Sequence, residues 1–202
     1  VGQAEAQDVN ILIVTGDRDS YQLVRDPDVM VLYNKRGVSD YAFYDEAGIA
    51  ERTGVTPALY PQYAALRGDS SDNLPGVPGV GEKTAAKLIN TYGGLDGIFE
   101  HVDDQTPKLR ANLTEHEDRA RKNLELMLLH HDAPIDVDPG DLAVTPNPDE
   151  LKRLFEFLEF RTLAARLDEA LSAMGASVDL GPVDERAELV AEVTTASSAV
   201  QA

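Results

Sequence analysis

Hydrophobic and polar positions along the chain alternate between two periods. Ile11 to Val14 is a short apolar, β-branched run that stops at Thr15-Gly16, which predicts a buried parallel strand. Ser20 to Arg25 follows as a short helix with Asp19 as its N-cap, and Val29 to Tyr33 reads as a second strand. Strand, helix and strand in that order predict an α/β layer. Asp45 to Thr53 is helical with Gly54 as its stop, and a further helix starts at Thr56-Pro57 and runs to Leu66, bent at Pro61. From Gly68 to Gly81 the residues are those of turns. A helix then spans Glu82 to Tyr92, with Ala85, Leu88, Ile89 and Tyr92 on one face, and Gly93-Gly94 ends it. Two short helical patterns (95–101 and 106–113) and a longer one (115–130) follow. The stretch 133–149 has four prolines and reads as an extended loop. Leu151, Leu154, Phe155, Leu158, Leu163, Leu167 and Leu171 mark an amphipathic stretch that two short helices would satisfy. Past Met174 aromatic residues vanish, as in a linker. The expected division is a partial α/β core at 1–66, a helical region at 67–132, a loop and helices at 133–172 and an acidic tail at 173–202.

Composition narrows the chemistry. The chain has 202 residues and no cysteine, so disulfides and thiolate metal sites are excluded, which fits a reducing cytoplasm. No apolar run approaches membrane-spanning length. The net charge of −18 is unexpected for a nucleic-acid binder. It is unevenly spread, however. Residues 67–122 carry 8 basic and 10 acidic groups, whereas 123–202 carry 5 and 16. The near-balanced middle leaves room for a local phosphate-binding face, because salt screens distant charge beyond about 10 Å.

That middle opens with RGDSSDNLPGVPGVGEKTAAK, residues 67 to 87. A nucleotide-cradling P-loop fails on spacing: Gly76 and four further residues lead to Gly81, but Glu82 stands where the lysine should be. A clamp for a nucleic-acid backbone fits better. Gly76, Gly79 and Gly81 permit a tight hairpin and close backbone approach. The helix that Gly81 opens presents free amides to an anion, and Lys83 and Lys87 lie one turn apart beside Thr84. Such a clamp grips phosphates without reading bases. A helix–turn–helix connection with solvated lysines accounts for the same residues equally well.

Two acid pairs stand out. Asp17 and Asp19 follow the first strand, where α/β sheets place their sites, and Asp69 and Asp72 lie three apart in a loop. Each pair alone is explained by turn and cap chemistry. Brought together, the four would repel unless a hard divalent cation with oxygen ligands held them. Sequence alone does not bring the pairs together.

VTGDRDSYQLV, ALRGDSSDNLPGVPGVGEKTAAKLI and LFEFLEFRTLAARL, in that order, resemble the 5′ nuclease domain of bacterial DNA polymerase I, a member of the flap endonuclease superfamily. The resemblance implies the C-terminal part of a PIN/flap-endonuclease-like α/β domain, with a mostly helical helix-three-turn-helix region from Leu74 to about Tyr92. It implies that Asp17, Asp19, Asp69 and Asp72 hold two Mg²⁺ or Mn²⁺ ions, and that no catalytic residue beyond the metal ligands is needed. Gly76, Gly79, Gly81, Lys83, Thr84 and Lys87 would hold duplex DNA, with a K⁺ ion at the hairpin. The implied reaction is metal-dependent phosphodiester hydrolysis at 5′ ends or flaps, in primer removal and repair. The implied setting is a monomer in the bacterial cytoplasm, associated with the nucleoid and followed by polymerase domains. The family also uses acids from earlier strands and a basic arch, which are not found in these residues. An N-terminally incomplete domain, inactive alone, is therefore expected. The alternative is a non-catalytic DNA-binding module that keeps only the clamp.

Overall fold

The computed structural model describes residues 1–173 apart from 8, 37, 38, 132 and 145. The expected tail from 174 onward lies outside the described residues. A short helix α1 (Gly2–Glu5) precedes β1 (Ile11–Thr15), and a 3₁₀ helix (Arg18–Leu23) leads to β2 (Val29–Arg36). The two strands are parallel, with Ile11 opposite Val29 and Thr15 opposite Tyr33. A third strand, β3 (Asp40–Tyr44), lies antiparallel to β2 and gives the order β1-β2-β3. Sequence reading did not anticipate β3, although DYAFY has the aromatic, alternating character of a strand.

Tyr21, only 1% exposed, organises the inner face of this sheet. Its ring stands edge-on to Tyr33, Tyr44 and Tyr60, with centroids 5.3–5.6 Å away. Each such pair adds roughly 1 kcal/mol beyond the burial of its area. The opposite face carries Leu12, Val14, Tyr41 and Phe43, all about half exposed or more.

α2 (Glu46–Thr53) is capped by Asp45, whose carboxylate accepts from the Gly48 amide, and it ends at left-handed Gly54. The next segment does not form one bent helix. A 3₁₀ turn (Pro57–Leu59) comes first, and α3 (Tyr60–Arg67) starts anew with Pro61 in its first turn. Proline lacks the amide that a helix interior needs, so it opens a helix more readily than it bends one. A two-stranded ribbon, β4 (Gly68–Asp69) and β5 (Leu74–Pro75), leads to α4 (Glu82–Tyr92). Ala85, Leu88 and Ile89 of α4 are buried as the periodicity predicts, and left-handed Gly93 terminates it. α5 (Leu95–Glu100), α6 (Pro107–Glu115) and α7 (Glu117–Met127) follow. One hydrophobic core runs from Val31 of the sheet through Leu66 and Ile89 to Leu113 and Met127. Residues 1–66 and 67–127 therefore share an interior.

The described residues from Ala143 onward form a separate unit. Its described part is a helix pair, α8 (Pro148–Phe157) and α9 (Arg161–Ala173). Asn147 caps α8, and the turn between the helices passes through left-handed Glu159, with Phe155 and Phe160 in edge contact at 5.9 Å.

Candidate functional site

The first acid pair sits just past the C-terminal end of β1. Asp17, rather than Asp19, caps the short helix: its Oδ1 accepts from the Asp19 amide at 2.9 Å. GDRD offers two candidate caps two residues apart, and the helix begins two residues earlier than the apolar pattern suggests. The correction matters because the cap role falls to Asp17 and leaves the half-buried Asp19 carboxylate to its electrostatic surroundings. Burial, and then the like charges of Asp17, Asp72 and Asp69, push the Asp19 carboxyl up to about 6. The two acid pairs, fifty residues apart in sequence, thus act on one another in space.

The second pair is not symmetrical. Asp69 Oδ1 accepts from the Ser71 amide at 2.8 Å and from the Ser71 hydroxyl, while its Oδ2 meets Arg67 Nη2 at 3.2 Å. Burial works against its charge, but these bonds and Arg67 bring its carboxyl below the usual range. Asp69 is therefore held ionised and oriented, whereas Asp72 is solvent-exposed. Among the described residues no group of three or more His, Cys, Asp or Glu closes into a metal-holding set. Carboxylate oxygens are the kind of donor a hard divalent cation takes, and the four acids influence one another's charge without closing around one point.

Arg67 is the side chain that sequence reading passed over. It lies over the Tyr63 ring at 5.3 Å, and its side chain is 13% exposed. Besides Asp69 it reaches Glu82 Oε1 at 3.7 Å, so it links the acid loop to the first turn of α4. Together with Arg18, Ser70, Asn73 and Gly76 these groups line a cleft of about 590 Å³. Glu82, which excluded the P-loop, is thus part of the wall between the acids and the hairpin.

The hairpin glycines play different parts. A Cβ on Gly76 would stand 2.1 Å from the Arg67 carbonyl oxygen, so the backbone that Gly76 admits is the chain's own. Gly68 crosses it at φ +81°. Gly79 is left-handed and close to Asn112, whose amide donates to the Pro78 carbonyl at 2.7 Å. At Gly81 an added Cβ would meet nothing within 4 Å, and its backbone is ordinarily extended. That position is open to an approaching ligand. Val77 and Val80 anchor the hairpin in the core. Lys83 and Lys87 are exposed on α4 and Thr84 is half-buried, so a helix N-terminus and two cations face outward beside the cleft.

Known proteins resemble this chain in sequence and in fold. Residues 55–150 match the family described as 5′-3′ exonuclease, C-terminal SAM fold. Over these residues the chain is similar to the C-terminal part of 5′-3′ exonucleases. DNA polymerase I of Mycobacterium leprae is 48% identical over 177 residues, covering 87% of this chain and 19% of that protein. DNA polymerase I of Bacillus subtilis is 34% identical over 194 residues, covering 95% and 22%. The chain thus spans about a fifth of the length of the curated relatives it matches. Among solved structures, a 5′-exonuclease of T5 with bound zinc superposes with a TM-score of 0.56 at 22% identity, over 63% of this chain and 46% of that one. The T5 D15 flap endonuclease in a pseudo-enzyme-product complex with DNA and metal ions gives the same values. The fold is that of the flap endonucleases and 5′-3′ exonucleases, with small sheets.

Proposed function

We propose that this chain is the metal- and DNA-binding part of a DNA polymerase I-type 5′–3′ exonuclease or flap endonuclease. Asp17, Asp19, Asp69 and Asp72 would hold divalent cations, Mg²⁺ or Mn²⁺, and Gly81, Lys83, Thr84 and Lys87 would hold the backbone of duplex DNA near a 5′ end or flap. The observation that carries the reading is that Asp69 lines a cleft reaching Gly76 of the hairpin, while the charge of half-buried Asp19 is opposed by burial and by the other three acids. When bound, the cations would lower the pKa of water and neutralise the scissile phosphate. The chain's own groups prepare that chemistry. Arg67 and Ser71 hold Asp69 ionised and in one orientation. The free amides at the start of α4 favour a phosphate, and Lys83 and Lys87 add charge without selecting sequence. Gly76 and Gly79 shape the hairpin that presents these groups. A K⁺ ion at the hairpin, a monomer attached to polymerase domains and a place in the bacterial cytoplasm beside the nucleoid belong to the same reading.

Within the full-length protein, Asp69→Asn with Asp72→Asn should abolish cleavage of a 5′-flap duplex in Mg²⁺ and leave its binding within about twofold, since each removes metal ligation and not phosphate contact. Equal loss of binding and cleavage would sink the assignment. A second reading, a DNA-binding module without catalysis, is favoured by the absence of a closed three-acid group among the described residues. Flap cleavage by the unmodified full-length protein excludes it. Residues 1–202 alone are expected to bind duplex DNA weakly and to cleave flaps poorly or not at all.

A further inference from the structure

One helix, α7, is hydrogen-bonded to the chain on both sides of the second acid pair and to Gln22, which follows the first. Asn123, on α7, is 3% exposed. Its amide nitrogen donates to the Ala65 carbonyl at 3.1 Å and to the Pro75 carbonyl at 3.0 Å. The first lies in α3, two residues before Arg67, and the second begins the glycine hairpin. One turn further along α7, the Met127 carbonyl accepts from Gln22 Nε2 at 2.9 Å, and Gln22 Oε1 accepts from the Leu129 amide at 3.1 Å. The same Gln22 nitrogen donates to the Asp19 carbonyl at 2.9 Å.

The geometry points to α7 as an alignment rod, with Asn123 and Gln22 as positioning residues for the acid site. Gln22 fixes the Asp17–Asp19 loop to the C-terminal end of α7. Asn123 fixes α3, and through it the Arg67–Asp69 corner and the start of the hairpin, one turn earlier. A helix turn advances 5.4 Å along its axis, so the rod sets the offset between the acid pairs. Apart from the bond from Gln22 to the Asp19 carbonyl, which lies within the 3₁₀ helix, these bonds join segments distant in sequence. The buried Ala65 carbonyl has no easy substitute for its donor, which makes the Asn123 anchor specific in direction and register, whereas the Gln22 bonds are part-buried or exposed. Neither side chain is a ligand or touches substrate in this scheme. The metal consequence rests on the function proposed above, whereas the positioning itself does not.

Asn123→Leu keeps bulk and removes both donors, and Gln22→Met does the same at the other anchor. In the chain 1–202, hydrogen exchange at two core-facing amides reads each anchor separately: Val77, bonded to the Leu66 carbonyl, and Val24, bonded to the Tyr21 carbonyl. The expected result is a crossed pattern. Asn123→Leu speeds exchange at Val77 by roughly tenfold, the size one buried hydrogen bond carries, and spares Val24; Gln22→Met does the reverse. Both should weaken Mn²⁺ binding by about the same factor, because both let the acid pairs slip apart. If each variant speeds Val77, Val24 and Ile89 of α4 alike, or shifts none of them, the rod is overturned. Should Asn123→Leu fail to fold, Asn123→Ser keeps one donor and must still move Val77 alone. If the unmodified chain fails to bind Mn²⁺, the metal reading falls and the exchange pattern alone decides the positioning.

Discussion

Replacing Asp19 with asparagine should make the metal-free protein more stable at neutral pH. The carboxyl is raised from 3.8 to about 6, first by burial and then by Asp17, Asp72 and Asp69. A shift of that size corresponds to at most about 3 kcal/mol of unfavourable charge. Asp19 is only half-buried, so solvent screens much of it and a net cost near 1 kcal/mol is the better expectation. The raised value means that the folded state holds its proton more tightly than the unfolded chain. Below about pH 4 the group is protonated in both states and the cost is absent. Between about pH 4 and 6 the cost develops, and above that it is fully present. Among the described residues no hydrogen bond to the Asp19 carboxylate accompanies it, since the contacts at this residue use its backbone amide and carbonyl. Urea denaturation of wild type and Asp19→Asn in EDTA, near pH 4 and at about pH 7.5, gives the comparison. The variant should gain roughly 1 kcal/mol at the higher pH and little at the lower. Adding Mn²⁺ should then stabilise the wild type more than the variant, because the cation removes the same repulsion. A variant that is destabilised at pH 7.5, or whose difference from wild type ignores pH, would refute the placement of Asp19 among the other acids.

The hairpin glycines should separate in the same denaturation assay. Gly76→Ala drives a methyl into the Arg67 carbonyl and should cost about 3 kcal/mol, whereas Gly81→Ala meets open space and should stay within about 0.5 kcal/mol of wild type. If the Gly81 face is where a DNA backbone approaches, Gly81→Ala should weaken duplex binding, measured by fluorescence anisotropy, without changing stability. Lys83→Ala and Lys87→Ala should each reduce the slope of log K against log salt by about 0.9, the signature of one lost phosphate contact, and unchanged slopes would remove them from the clamp. Arg67→Met should let the Asp69 carboxyl rise toward its ordinary value, visible by NMR titration, because the guanidinium is among the groups that hold it down.

What could be read from the chain followed the range of the interaction responsible. Helix ends set by a single glycine were legible: Gly54 and Gly93 both occupy the left-handed conformation that a side chain would strain. The buried face of α4 was legible for the same reason, since Ala85, Leu88 and Ile89 announce their period within one helix. Ambiguity began where two residues compete for one local role. Asp17 and Asp19 could each cap the helix, and only the backbone path after Thr15 decides for Asp17. Gly76 shows the next limit. Its need for close backbone approach was visible, but the partner is the Arg67 carbonyl, which only the pairing of Gly68 with Pro75 brings to it. Beyond that, pattern carries nothing. Asn123 sits in a helix whose sequence gives no reason to prefer asparagine, and its two acceptors lie 58 and 48 residues away. Gln22 reaches across 105 residues to Met127. Such polar side chains are costly to bury and poor helix formers or neutral ones, so a buried asparagine in mid-helix is itself a signal that some distant backbone group requires it. The candidate site's residues therefore lie in local motifs, while the bonds that tie their segments to α7 come from side-chain amides that no local motif contains.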